Sequence, residues 1–331
     1  MPADPKQAHV SRELEADAPL MTCRFDPTGK YVFATGEDRN IYRWELATGK
    51  RIALSGHDSW VGDLAITADG TTLISAGFDD TLIWWPASEE TPQPIRKVKA
   101  HEGWIRSIAL NPDGQLLASG GNDRFVRLWN VSDGSSVSEV TQHERDVYTV
   151  AWHSGSGALL SGDLMGKIHA WEIASGVKIR SFDATPLHKY EAGQAVHYGG
   201  VRGMAFSPDG KWLVAGGLHK ATNPLGNVQE PLVVRFEWET TKPVRNHITE
   251  GNANNTIWGL LYHPQGFVIG CIGGGKGQLA FWNEGDEKPF HAFNLPNTAR
   301  GIAMHPDSVQ IATTHHDRKL RVTRLEPKPA T

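Results

Sequence analysis

Only two cysteines, Cys23 and Cys271, occur in 331 residues. Both sit in apolar, strand-like runs, so two buried thiols are expected and not a disulfide framework. No apolar run approaches the roughly 18 residues of a membrane helix. The first residues, MPADPKQAHV, hold no apolar core of signal-peptide length. Together these absences point to a soluble, cytoplasmic protein with no membrane contact. Positive charge is not in excess: 33 Lys and Arg stand against 37 Asp and Glu. A protein that grips nucleic acid by neutralising phosphates carries the opposite balance, so no nucleic acid is expected. The stretch Arg318-Lys319-Leu320-Arg321-Val322-Thr323-Arg324 is the only candidate for such a contact. No segment reads as a long amphipathic helix, and no G-x-S-x-G nucleophile motif or paired cysteine ligands appear. The run from Gly270 to Gly277 has the spacing of a phosphate-binding loop. It lacks the following Ser or Thr and leads into a strand pattern, whereas that loop works at a helix N-terminus.

What the chain does have is repetition. Residues 118–130 read ASGGNDRFVRLWN, a polar turn running into a strand that ends on Trp129. An anchoring turn recurs at Pro27, Ala68, Pro112, Ser154, Pro208, Pro264 and Pro306. A strand-ending residue recurs at Trp44, Trp85, Trp129, Trp171, Trp238, Trp282 and Thr323. The two are 17 residues apart in five units and 18 in the Pro264–Trp282 unit; only Pro208–Trp238, at 30, departs. A constant interval through changing sequence implies constant geometry: turn, strand, tight turn, strand. A period of about 41 to 44 residues fits four strands per unit. The 35 glycines and 12 tryptophans fit many short strands with periodic aromatics.

With these anchors in place, the chain resembles the WD-repeat (Trp-Asp) β-propeller family over nearly its whole length. The resemblance implies an all-β, seven-bladed propeller of four-stranded antiparallel blades in a single domain. The blades are expected at about 17–56, 57–100, 101–142, 143–183, 184–248, 249–294 and 295–326. The strand pattern at 10–15 is expected to complete the seventh blade and close the ring. It also implies a hydrogen-bonded set of His, Ser, Asp and Trp in each blade. Blade two matches with His57, Ser75, Asp79 and Trp85, and blade three with His101, Ser119, Asp123 and Trp129. Blade one keeps Asp38 and Trp44, with Ala34 at the Ser place. Blade four keeps His143, Ser161 and Trp171, with Met165 where Asp is expected. Blade five keeps His197 and Trp238, blade six only Trp282, and blade seven Thr313 and Asp317. Repetition around a ring marks these sets as structural fasteners, not catalytic dyads or metal ligands.

A fold of this kind does not name a function, so candidate sites are sought where the repeat is broken. Blade five carries two enlarged segments, at 184–196 and 218–230, expected on one face. They bear His188, Lys189, Tyr190, His219, Lys220 and Asn227, with Tyr198 following the first. The position six before each anchor reads Met21, Gly62, Arg106, Tyr148, Arg202, Trp258 and Arg300. It opens each innermost strand, so these side chains should gather at the channel mouth on that same face. Trp60 and Trp104 lie two residues ahead of Gly62 and Arg106. Arg, Trp and Tyr are the types enriched in binding hot spots. The expected function is a non-enzymatic scaffold that binds a protein or peptide on this face, as a monomer or a subunit of a larger complex. No cofactor and no metal are expected, His315-His316-Asp317 being too few converging ligands. The alternative is a small-molecule (anion) binder or hydrolytic propeller enzyme using the channel mouth. Arg24 sits where most blades put Ala and needs a partner that the sequence does not name.

Overall fold

The structure, a computed structural model, describes residues 2–223, 228–249, 251 and 253–328. Its described elements are strands and two short 3-10 turns, Pro5–Gln7 and Thr185–Leu187. Seven sheets have four strands each. Six of them run in chain order from the inside of the ring outwards. The seventh is assembled from both ends: Ala8–Glu15 pairs antiparallel with Lys319–Leu325. The closing strand thus begins two residues before the sequence pattern at 10–15, and it covers an edge that would otherwise lie open. The innermost strands pack one against the next around the ring, and that of blade seven meets that of blade one.

The alternation of each strand explains why the ring is needed. Trp84 and Trp85 are adjacent on one strand and therefore point to opposite faces of their blade. Trp84 joins the apolar cluster between blades two and three, and Trp85 the cluster between blades one and two. The buried hydrophobics fall into seven such clusters, one at every seam. No blade has a core of its own, so each is stable only between two neighbours.

The fasteners predicted for blades two and three are present. The His57 ring lies 3.0 Å by Nδ1 from Asp79 and 2.7 Å by Nε2 from Ser75, whose Oγ accepts from the Trp85 indole at 2.8 Å. His101, Asp123, Ser119 and Trp129 repeat this at 2.9, 2.7 and 2.9 Å. Burial opposes ionisation of both carboxylates, and the histidine, side-chain and backbone hydrogen bonds they accept, with the charge attraction of the imidazole, together outweigh it and hold them below the usual range. Blade four corrects the sequence reading. Its carboxylate is not missing at Met165 but moved to Asp163, 3.0 Å from His143. Its other oxygen accepts from the turn amides of Met165 and Lys167. Blade five also departs from expectation: His197 lies on a separate hairpin and takes no part in a fastener. In blade one the Tyr42 hydroxyl donates to Asp38 in place of a histidine. In blade seven, Asp317 grips Arg321 with both oxygens, and the imidazole comes from His315, 2.8 Å from Thr313.

Candidate functional site at the channel mouth

Six of the seven innermost strands carry a local irregularity at the position expected to face the mouth; in blade five Arg202 directly precedes the strand Gly203–Phe206. Ile105 pairs with Gly121 and Ser107 with Gly120, leaving Arg106 as the extra residue of a bulge. Tyr148, Gly62, Trp258 and Arg300 occupy the same place in their blades. A bulge twists the strand and re-aims one side chain. Six irregularities in register therefore re-aim the chain at the opening, which pleating alone would not do.

The channel, about 880 Å³, is lined at its mouth by Trp60, Phe78, Trp104, Arg106, Tyr148, Arg202, Trp258 and Arg300. Seven of these form a continuous belt of contacts. Trp60 lies 6.3 Å from Phe78, which stacks on Trp104 at 4.6 Å with 6° between planes. The Arg106 guanidinium is 5.1 Å from the Trp104 ring centre and 4.7 Å from Tyr148. Arg202 is 4.9 Å from Tyr148 and 5.0 Å from Trp258, which completes the belt as its seventh residue. Trp60 and Trp104 remain 42% and 44% exposed, enough to offer ring faces to a ligand. Arg300 stands apart, in an ion pair with Glu37.

Phe78 and Glu37 were not among the sequence candidates, nor was Asn122, which accepts from Arg106 Nε at 2.6 Å. All three share one register, directly before the turn aspartates Asp79, Asp38 and Asp123. The backbone N–H of each donates to the residue two ahead of a mouth position: Glu37 to Pro19, Phe78 to Trp60 and Asn122 to Trp104. The signal was the turn aspartate itself, read only as part of a fastener.

Below the mouth, Arg24 finds its partner across a seam. It reaches Asp63 at 2.8 Å. Asp63 in turn accepts from the Ile108 amide at 3.0 Å, and Ser107 Oγ accepts from Val150 at 3.2 Å. This relay joins blades one to four through the channel wall. In blades five to seven the same register holds Gly203, Gly259 and Gly301. A Cβ on Gly259 would stand 2.7 Å from Ile302 and one on Gly301 2.7 Å from the Met21 carbonyl, so these seams close by backbone approach.

The blade-five insertions are ordered hairpins where the sequence suggested loops. His188–Glu191 pairs with Val196–Gly199, and Trp212–Asn223 with Val228–Glu237. The first hairpin packs against the strand Trp212–Asn223, so the two enlarged segments do lie side by side. Gly199 and Gly200 then lead into Arg202, with φ of 90° and 87°. A Cβ on Gly199 would fall 2.0 Å from the Leu187 carbonyl, so glycine is required to join hairpin to mouth. His188 and His197 meet at 2.9 Å, and Tyr190 packs on His197 at 4.7 Å. Burial, then the neighbouring His197, draws His188 below its usual pKa. Lys220 pairs with Glu230 at 2.9 Å, His219 lies 3.5 Å from the same carboxylate, and Lys189 is 3.9 Å from Glu191. The Tyr198 hydroxyl is buried without a partner. Asn227 lies outside the described residues. Among those described, no hydrogen bond or ion pair links the hairpin side chains to Arg106 or Arg202.

Other candidates lose their ligands to neighbours. In the basic stretch, Lys319 and Arg321 bond Glu13, and Arg324 bonds Glu326. Among the described residues, no group of three or more His, Cys, Asp or Glu is placed to hold a metal ion, and no helix is long and apolar enough to cross a membrane. Both thiols are buried, and burial pushes Cys23 up to about 12, far from a nucleophile's range.

The family described as "WD domain, G-beta repeat" matches residues 9–45, 49–86, 92–130 and 185–220. Apoptotic protease-activating factor 1 of Rattus norvegicus is 29% identical over 59% of this chain and 15% of its own length. Protein HIR1 of Eremothecium gossypii is 24% identical over 55% of the chain and 23% of its own. WD repeat-containing protein 18 of Bos taurus is 27% identical over 70% of the chain and 55% of its own. The chain thus spans under a quarter of the first two relatives and about half of the third.

Proposed function

From the premise that the chain is a WD-repeat β-propeller, with four matched repeats and seven four-stranded blades in a closed ring, we propose that it is a non-enzymatic platform for a partner protein. It grips a segment of that partner across the channel mouth and the paired hairpins of blade five. The whole chain serves as one propeller domain, acts in the cytoplasm and needs no cofactor. The observation that carries this reading is the belt from Trp60 to Trp258 across five blades, which begins with the exposed Trp60 and Trp104 about Phe78 and continues with guanidiniums alternating with rings. Such a surface joins large apolar contact with fixed donors, the composition of a binding hot spot. A closed ring holds it rigid, so docking orders little of the platform's own backbone.

The test is affinity capture from native extract with three baits: intact protein, a form with both blade-five hairpins cut to the length in other blades, and Trp104→Ala. Each bait is first shown to melt cooperatively. A partner held by the first and lost by the other two supports the reading. The same captures from all three would overturn it.

A further inference from the structure

We infer that Arg106 and Arg202, which share the Tyr148 ring, form a clip for a two-oxygen anion, a carboxylate or phosphoryl group on the bound segment. This rests on the proposed binding face and names the chemistry at its centre.

Four arginines reach the channel, and the structure separates them. Arg24 is neutralised by Asp63 and Arg300 by Glu37. Arg106 commits only its Nε, to Asn122. Arg202 commits nothing: it makes no hydrogen bond or ion pair among the described residues, and its Nε is buried without a partner. Asp146, two residues ahead of Tyr148, pairs with neither guanidinium within 4.0 Å. A buried donor left unmade costs free energy, and native structures seldom tolerate one without use.

What holds these two cations in place is aromatic. Arg106 lies against Phe78, Trp104 and Tyr148 at 4.7 to 5.7 Å, and Arg202 against Tyr148 and Trp258 at 4.9 and 5.0 Å. Ring contact fixes the position of a guanidinium and leaves its N–H groups free, since the attraction acts through the ring face. The free N–H pairs have the fork geometry that matches two oxygens on one atom. The two charges also burden each other. Burial, and after it the nearby Arg106, pulls Arg202 below the ordinary arginine value. An anion seated at the pair relieves the burial cost and the repulsion together. Trp60 and Trp104, exposed beside it, fit an apolar or aromatic neighbour of the anionic residue.

The test uses the full chain and three small probes: phenyl phosphate, phenylacetate and neutral benzamide. Binding is followed by calorimetry and tryptophan fluorescence at low and high salt. Saturable binding of either anion but not of benzamide is expected, weaker at high salt. The stronger of the two anions tells a phosphorylated from an acidic source. Arg106→Gln and Arg202→Gln should each weaken it roughly tenfold or more, and Arg245→Gln, on an exposed outer strand, should not. If Arg202→Gln fails to melt cooperatively, Arg202→Lys replaces it, keeping the charge and losing the fork. No saturable anion binding to the intact protein, or binding that survives both variants, would overturn the clip. Partner capture that depends on the hairpins while the anions fail to bind leaves the face standing and removes the clip. Anion binding with hairpin-independent capture does the reverse.

Discussion

Blades two to four and blades five to seven reach the same architecture by different chemistry. In the first group a buried His, Ser and Asp with an indole fasten every tight turn. In the second, the full set is absent, and histidines of blades six and seven reach across to the next blade. His263 Nε2 donates to the Ser308 carbonyl of blade seven at 2.7 Å, and His305 to Gly29 of blade one at 3.1 Å. Each ring's Nδ1 accepts a turn amide, from Gln265 and Asp307. His153 does the same from blade four to Gly210 of blade five at 2.8 Å. The lesson is that the repeated fastener is one way to satisfy a turn, and the ring tolerates others provided every seam stays packed. Freed from the repeat, blade five could grow hairpins.

The largest effect should come from attacking what both groups share. Deleting residues 1–15 removes the closing strand and with it Leu14 from the seam of blades seven and one. A loss of more than about 5 kcal/mol is expected, comparable to a domain's whole stability. Denaturant melts of the two forms measure it, and equal midpoints would refute the closure. Next, Ser119→Ala strips both His101 Nε2 and Trp129 Nε1 of their partner in a buried site. Its expected cost is about 2–4 kcal/mol.

Acid should then weigh on both groups, and more on the second. Burial draws His315 and His247, and also His169 of blade four, from their usual 6.5 to about 4. Between those values the unfolded chain binds more protons than the folded one, so stability falls as pH falls. The contribution is complete above about 6.5 and gone by about 4, with each group worth up to about 3 kcal/mol. His315→Gln should flatten the melting-temperature profile in that window, and an unchanged slope would remove His315 from the account. The smallest effect sharpens the comparison most. In blade six the Trp282 ring lies where a side chain on Gly270 would stand, 2.8 Å from its Cβ. Gly270→Ser should therefore destabilise by about 1–3 kcal/mol by overpacking. Neutral or stabilising melts would mean that blade six can still accept a hydroxyl there.

The legible features were those carried by spacing. The anchors Pro112 and Trp129 located a blade, and the register that opens each innermost strand located Arg106, Tyr148, Arg202 and Trp258. Asp163 was misread because a carboxylate two residues early reaches the same imidazole once the turn folds. Phe78 was overlooked because its contact with Trp104 spans two blades. The hairpins of blade five looked like loops because their pairing is local and irregular, with the register shifted between His219 and Asn223.

The sequence by itself determined the number of blades, the alternation that sends Trp84 and Trp85 to opposite seams, and which residues open each inner strand. Period and alternation are one-dimensional properties, and steric pairing converts them directly into strands. Only the tertiary structure decided which charges are spent. Arg24 with Asp63 and Arg300 with Glu37 are paired across blade boundaries, between residues 39 and 263 positions apart, while Arg106 and Arg202 are left between rings. Closing a ring brings distant turns together at distances that no local pattern encodes, and at a channel mouth that closure separates a neutralised arginine from an available one.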